Sequence, residues 1–147
     1  MNKFMMSAIV EAERSKQDIP VGAVVVCDGK IIASAHNERE KELDISAHAE
    51  ILAIKRAEKV LNNWRIDGCE LYVTLEPCPM CAWAILQSRI KSVYFGSFDK
   101  IYGAFGSVVD FRNISNPDLK IYSGIMEQEC NNILSKFWEK KRAKKIH

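Results

Sequence analysis

Two short segments constrain this chain more than anything else in it: His48-Ala49-Glu50 and Pro77-Cys78-Pro79-Met80-Cys81. Together they supply three residues of the kind that hold zinc, His48, Cys78 and Cys81, and one carboxylate to spare, Glu50. The count matters, because a structural zinc site is closed by four protein ligands whereas a hydrolytic one keeps three and leaves the fourth position to water. The first segment is predicted to open one helix and the second to open the next, about 30 residues on, with a strand between. A fold that uses both segments must bring two helix starts together.

Cys78 and Cys81 lie three apart, which on a helix puts both sulfurs on one face, and Pro77 or Pro79 suits a helix start. Both thiols then sit at the positive end of a helix dipole, which favours the thiolate a metal requires. His48 and Glu50 are separated by about 200° around a helix axis, so they converge only in a first turn, where side chains splay around an open end. Glu50, uncommitted to the metal, is positioned by this reading to take a proton from water and return it to a substrate. Two duller readings stay open. A lone C-x-x-C also suits a redox pair, and a fourth protein ligand such as His36 or Cys69 would close the site as a structural zinc module.

At 147 residues and 48% hydrophobic, the chain is expected to form one domain over 1–147. A net charge of +2 is too mild to announce a nucleic-acid binder, but Lys136, Lys140, Lys141, Arg142, Lys144 and Lys145 against a single Glu139 make the C-terminus locally basic. The five cysteines form no disulfide framework. Cys27, Cys69 and Cys130 read as buried fillers in a reducing compartment. The apolar run from Phe4 to Val10 is broken by Ser7 and followed by Glu11, Glu13 and Arg14, which suits neither a signal segment nor a membrane span, so the expectation is a cytoplasmic protein without a membrane partner. Trp64, Trp83 and Trp138 are expected in the core or at an interface.

Periodicity predicts a first helix within residues 3–16, then a hairpin of strands Val21 to Val26 and Lys30 to Ala35 joined at Asp28-Gly29. A loop from Glu38 to Ser46 leads to a helix from Ala47 to Val60 with Ser46 as its cap. A strand at Glu70 to Leu75, an inner helix at Met80 to Ser88, strands at Lys91 to Gly96 and Leu119 to Tyr122, and a closing helix at Glu127 to Lys145 complete the list. The closing helix is expected to bury Ile133, Leu134, Phe137 and Trp138. This order gives an α/β fold, a three-layer α/β/α sandwich on a mixed five-stranded sheet. The glycine-bearing stretch Asp99 to Ser107 is among the longest irregular runs inside the chain, and loops of that length tend to be functional.

The H-x-E…P-C-x-x-C arrangement belongs to zinc nucleobase deaminases. Beyond it, Pro20-Val21-Gly22-Ala23-Val24, His36-Asn37, Gly68-Cys69, the run from Leu71 to Cys81 and Gly103-Ala104-Phe105-Gly106-Ser107 resemble bacterial tRNA-specific adenosine deaminases, within the cytidine deaminase-like superfamily. The resemblance covers nearly the whole chain. It implies hydrolytic conversion of adenosine to inosine at the wobble position of a tRNA anticodon, by a homodimer holding one zinc ion per subunit. It makes His48, Cys78 and Cys81 the ligands, Glu50 the proton shuttle and Asn37 a contact to the target base, with the Ala49 backbone at the base edge and Val21 and Gly22 walling the pocket. The alternative within the same chemistry is a deaminase of a free base or nucleotide, such as guanine, cytosine or deoxycytidylate. Two places depart from the family pattern: Asp44-Ile45-Ser46 before the histidine, and Ile101, Tyr102 and Phe105 in the glycine loop.

Overall fold

The computed structural model describes residues 2–115 and 118–146. Asn2 starts helix α1 (Lys3–Ala12) by accepting the Phe4 and Met5 N–H groups on its side-chain oxygen, which satisfies donors that a helix start leaves unpaired. One 3-10 turn, Glu13–Ser15, follows. The hairpin β1 (Gly22–Cys27) and β2 (Lys30–His36) forms as expected. Asp28 and Gly29 stand at φ 50° and 76°, the paired positive angles whose twist matches the flanking strands.

Two local expectations need correction. The segment after β2 is not wholly loop, because Arg39–Glu42 closes one helical turn, α2. Buried Asp18 accepts the Glu40 N–H on its carboxylate and anchors that turn. Helix α3 runs Ala49–Leu61, two residues later than expected, and Ser46 does not cap it. Ser46 stands two residues before the N-cap position, which His48 occupies, and its N–H and hydroxyl both donate to Asp44 in a local turn.

Strand β3 (Glu70–Leu75), helix α4 (Pro79–Ser88), strand β4 (Ser92–Ser97), strand β5 (Lys120–Tyr122) and helix α5 (Glu127–Ile146) follow. The sheet order is β2-β1-β3-β4-β5, antiparallel across β2, β1 and β3 and parallel across β3, β4 and β5. Strand alternation divides its side chains between two faces. Val21, Ala23, Val25, Leu71, Val73, Val93 and Phe95 pack in one core with Ala53, Ile54 and Ala57 of α3 and Ile85 and Leu86 of α4. Val24, Val26 and Tyr72 pack on the other face with Met5 and Ala8 of α1 and Cys130 of α5. Because β1 is covered on both sides, its sequence reads as an unbroken apolar run. The expected three-layer α/β/α sandwich is the observed one.

Helix α5 closes the second face with less of its length than its apolar stripe suggested. A Cβ built on Gly96 would stand 2.3 Å from Cys130 Sγ, so the helix rests directly on β4 backbone at that point. Further along, Ile133, Leu134 and Phe137 are only half-buried and Trp138 is 44% exposed. Trp64 and Trp83 are also exposed, so none of the tryptophans belongs to the core of this chain. Cys69 and Cys130 are buried as expected, whereas Cys27 is half-buried. Among the described residues, no helix is long and apolar enough to cross a membrane.

Candidate active site

The carboxyl ends of β3 and β4, the amino ends of α3 and α4, and the finish of β2 converge on one edge of the sheet. That is where ligands generally bind in α/β folds, since loops and helix starts leave unpaired donors there. His48 is the N-cap of α3, in extended backbone at φ −76° and ψ 149°, and makes no side-chain cap bond. Asn37 does the capping instead. Its Oδ1 accepts the Ala49 N–H at 2.8 Å while its Nδ2 donates to the Ile19 carbonyl at 2.9 Å. The histidine ring is thereby released from the helix end and faces across to α4.

Cys78 is the N-cap of α4, again without a side-chain cap bond, and Pro79 follows as the first helical residue, where its missing N–H costs nothing. Cys81 sits in the first turn, fully buried. Nδ1 of His48 lies 3.8 Å from Cys78 Sγ and 3.4 Å from Cys81 Sγ, and the three donor atoms fall within 4.8 Å of one another. Sulfur and nitrogen held at zinc bond lengths around one tetrahedral centre stand about 3.6 Å apart. The donor set and its spacing therefore fit zinc.

The sulfurs and the ring perturb one another. A hydrogen bond from Cys81, more than the nearby imidazole, holds the Cys78 thiol down at about 4. The same bond, together with burial, pushes Cys81 upward, and the Cys78 sulfur raises His48. Glu50, in the first turn of α3, is 4% exposed. Burial pushes its carboxyl up to about 7, against the pull of the His48 charge.

A cavity of about 130 Å³ opens on this group, walled by Ile19, Val21, Asn37 and Leu75, with Arg39 and Tyr102 among its lining. His48, Glu50 and Cys78 line it too. Gly22 and Ala49, both expected at the pocket, are not among the residues that line it. Gly22 is backed against α1, where an added Cβ would stand 1.9 Å from the Ala8 carbonyl oxygen, and its N–H goes to Thr74 Oγ1. Ala49 is fully buried and its N–H is taken by Asn37.

Of the bulky glycine-loop residues, Phe105 is buried in the core while Tyr102 is 63% exposed and lines the cavity. From the sequence alone, Glu76 has no role. It is 2% exposed, yet accepts from the backbone N–H groups of Asp99, Phe105 and Ser107 and from the Ser107 hydroxyl. A carboxylate directly after the apolar strand Leu71 to Leu75 was the signal available.

Residues 1–97 match the cytidine and deoxycytidylate deaminase zinc-binding region. The chain belongs to this deaminase family. Within it, the chain groups with the tRNA-specific adenosine deaminases. It is 45% identical to the tRNA-specific adenosine deaminase of Bacillus subtilis (strain 168), over 97% of this chain and 91% of that protein. It is 44% identical to the one from Aquifex aeolicus (strain VF5), over 95% of this chain and 94% of that protein. A solved structure from studies of A-to-I editing by tRNA:A34 deaminases at the wobble position of transfer RNA superposes with a TM-score of 0.82, at 42% identity, over 89% of this chain and 98% of that one.

Proposed function

We propose that this deaminase hydrolyses adenosine to inosine at the wobble position of a tRNA anticodon, acting as a single domain over 1–147. The observation that carries the reading is the convergence of His48, Cys78 and Cys81 beside buried Glu50, in a chain this similar to tRNA-specific adenosine deaminases. In this reading His48, Cys78 and Cys81 hold one zinc ion per subunit. Bound there, zinc supplies Lewis acidity that makes water acidic near neutral pH.

Glu50 moves the protons. Its carboxylate takes one from the attacking water and delivers it to the ring nitrogen beside the amine-bearing carbon, while the water oxygen bonds to that carbon. The second proton passes through the same carboxyl to the amino group as the carbon–nitrogen bond breaks, leaving inosine and ammonia. Asn37 and Val21 border the space the base enters, and the Ala49 backbone backs it. Single-stranded loop bases are the accessible targets, since an unpaired base costs little to splay out.

The protein acts in the cytoplasm as a homodimer. Support for the dimer is the apolar exposure along α3 and α4, where Val60, Met80 and Trp83 are uncovered, with Trp64 just beyond. The basic end of α5 meets phosphates.

The deciding experiment incubates zinc-loaded protein with an anticodon stem-loop bearing wobble adenosine and sequences the product for inosine. Conversion is expected. No conversion, with ammonia released instead from guanine, cytosine or deoxycytidylate, would transfer the activity to a free base or nucleotide.

A further inference from the structure

The cavity at Glu50 is small. Its 130 Å³ lies well under the roughly 300 to 1,000 Å³ of pockets that enclose a drug-sized ligand, so one flat ring enters and the rest of a polynucleotide stays outside. What stands at the opening is then part of the substrate site. Tyr102 lines that opening with 63% of its surface free.

Tyr102 is presented by a loop whose backbone is tied down from beneath. Asp99 Oδ1 accepts the N–H groups of Ile101 and Tyr102, both at 3.0 Å, and the Asp99 carbonyl accepts from Gly103 at 2.9 Å. Asp99 is itself fixed by Glu76, whose Oε1 accepts its N–H at 3.1 Å. Glu76 Oε2 accepts Phe105 and Ser107 N–H groups on the far side of the same loop. Gly103 is compressed between the two, since an added Cβ would stand 2.4 Å from the Asp99 oxygen and 2.5 Å from Glu76 Cδ. Ala104 also donates to the Pro77 carbonyl, one residue before Cys78.

We propose that Glu76 is a positioning residue that locks the 99–107 loop to the turn carrying Cys78, and that it does so to hold the Tyr102 ring at the cavity mouth as a stacking surface for a base flanking the target. The inference rests on the reading of this site as acting on single-stranded RNA. A tyrosine ring suits the task because every base has a π-face, and such stacking tolerates sequence.

The test measures steady-state kinetics on the anticodon stem-loop, together with binding to stem-loops carrying 2-aminopurine at each nucleotide flanking the wobble adenosine in turn. Wild type should quench one of these probes. Tyr102→Ala should raise KM on the order of tenfold with kcat within about twofold, lose the quenching, and keep its metal content and oligomeric state, while Tyr102→Phe restores KM. Glu76→Gln replaces an acceptor with a donor facing the same N–H groups and should reproduce the KM rise. In the Tyr102→Ala background it should add little, because its effect passes through the ring.

An unchanged KM and unchanged quenching in Tyr102→Ala, on a stem-loop that wild type converts, would overturn the inference alone. So would fully additive effects of the two substitutions, or a change of oligomeric state in Tyr102→Ala. Failure of wild type to bind or convert the stem-loop would overturn the tRNA reading first and this inference with it.

Discussion

His48 Nδ1 and Cys81 Sγ stand 3.4 Å apart although 33 residues separate them in the chain. Each is delivered by its own helix start, so the pair registers the relative placement of α3 and α4. Removing a donor should therefore act on the metal first. His48→Ala and Cys78→Ala are expected to lose zinc by elemental analysis and to lose all turnover. Glu50→Ala should keep zinc near one equivalent while turnover falls by two orders of magnitude or more, the lower end of what a positioned acid–base group contributes being about a hundredfold. Equal zinc loss in the Glu50 and Cys78 variants would make Glu50 a ligand and remove it from proton transfer.

Asn37 satisfies Ala49 N–H and the Ile19 carbonyl at once. Asn37→Ala leaves the buried Ala49 N–H without its partner, at an expected cost of about 1–3 kcal/mol, with a smaller loss at the half-buried Ile19 carbonyl. Urea unfolding of the zinc-loaded protein reads this directly. Asn37→Asp, which keeps the acceptor for Ala49, should recover part of the loss.

Gly22 has backbone where a side chain would go: Ala8 O at 1.9 Å and Ala12 N at 2.5 Å from a built Cβ. Neither can rotate away, so α1 must move off the sheet. Gly22→Ala should destabilise by about 1–3 kcal/mol, the range of overpacked cores, seen as a lowered Tm with the metal site intact.

Burial pushes the thiols of Cys69 and Cys130 up to about 12 each. A raised thiol pKa keeps the reactive thiolate scarce at every pH below it. Iodoacetamide at pH 8 should leave both residues unmodified in folded protein and mark half-buried Cys27 in their place. After zinc is stripped with a chelator, Cys78 should join Cys27, because its thiol sits at about 4. Mass spectrometry of tryptic peptides counts the adducts.

The exposed cations of α5, from Lys136 to Lys145, predict salt-sensitive binding if they meet phosphate. Activity at subsaturating stem-loop should fall as salt rises, with a log–log slope that shrinks by about 0.7 to 0.9 for each phosphate-contacting lysine replaced by glutamine. A slope near zero in wild type would remove the helix from the RNA surface.

The zinc-type ligands and the sandwich were legible in the sequence because both depend on spacing. His48, Cys78 and Cys81 follow helix starts that local turn chemistry announces, and the five strands follow from short runs of β-branched and aromatic residues and the Asp28-Gly29 turn. What stayed hidden depends on partners distant in sequence. Ser46 reads as a cap yet stands two residues before the N-cap position, and the true cap, Asn37, lies 12 residues upstream of the helix residue it serves. Glu76 stands out locally only as a carboxylate that follows an apolar strand, and nothing near it says that a loop more than 20 residues later will surround it. The stripe on α5 was a sound periodicity, but only the tertiary fold decides how much of a helix the sheet beneath it is long enough to cover.

One side of the sheet ends in β5, which has only three residues and opens with exposed Lys120. A foreign strand seeking to extend the sheet there would find few unpaired backbone groups and a charge at the first of them, the arrangement by which natural edges resist aggregation. Crowded chains of this protein are thus denied a foothold for fibre growth on that flank, by brevity and charge together.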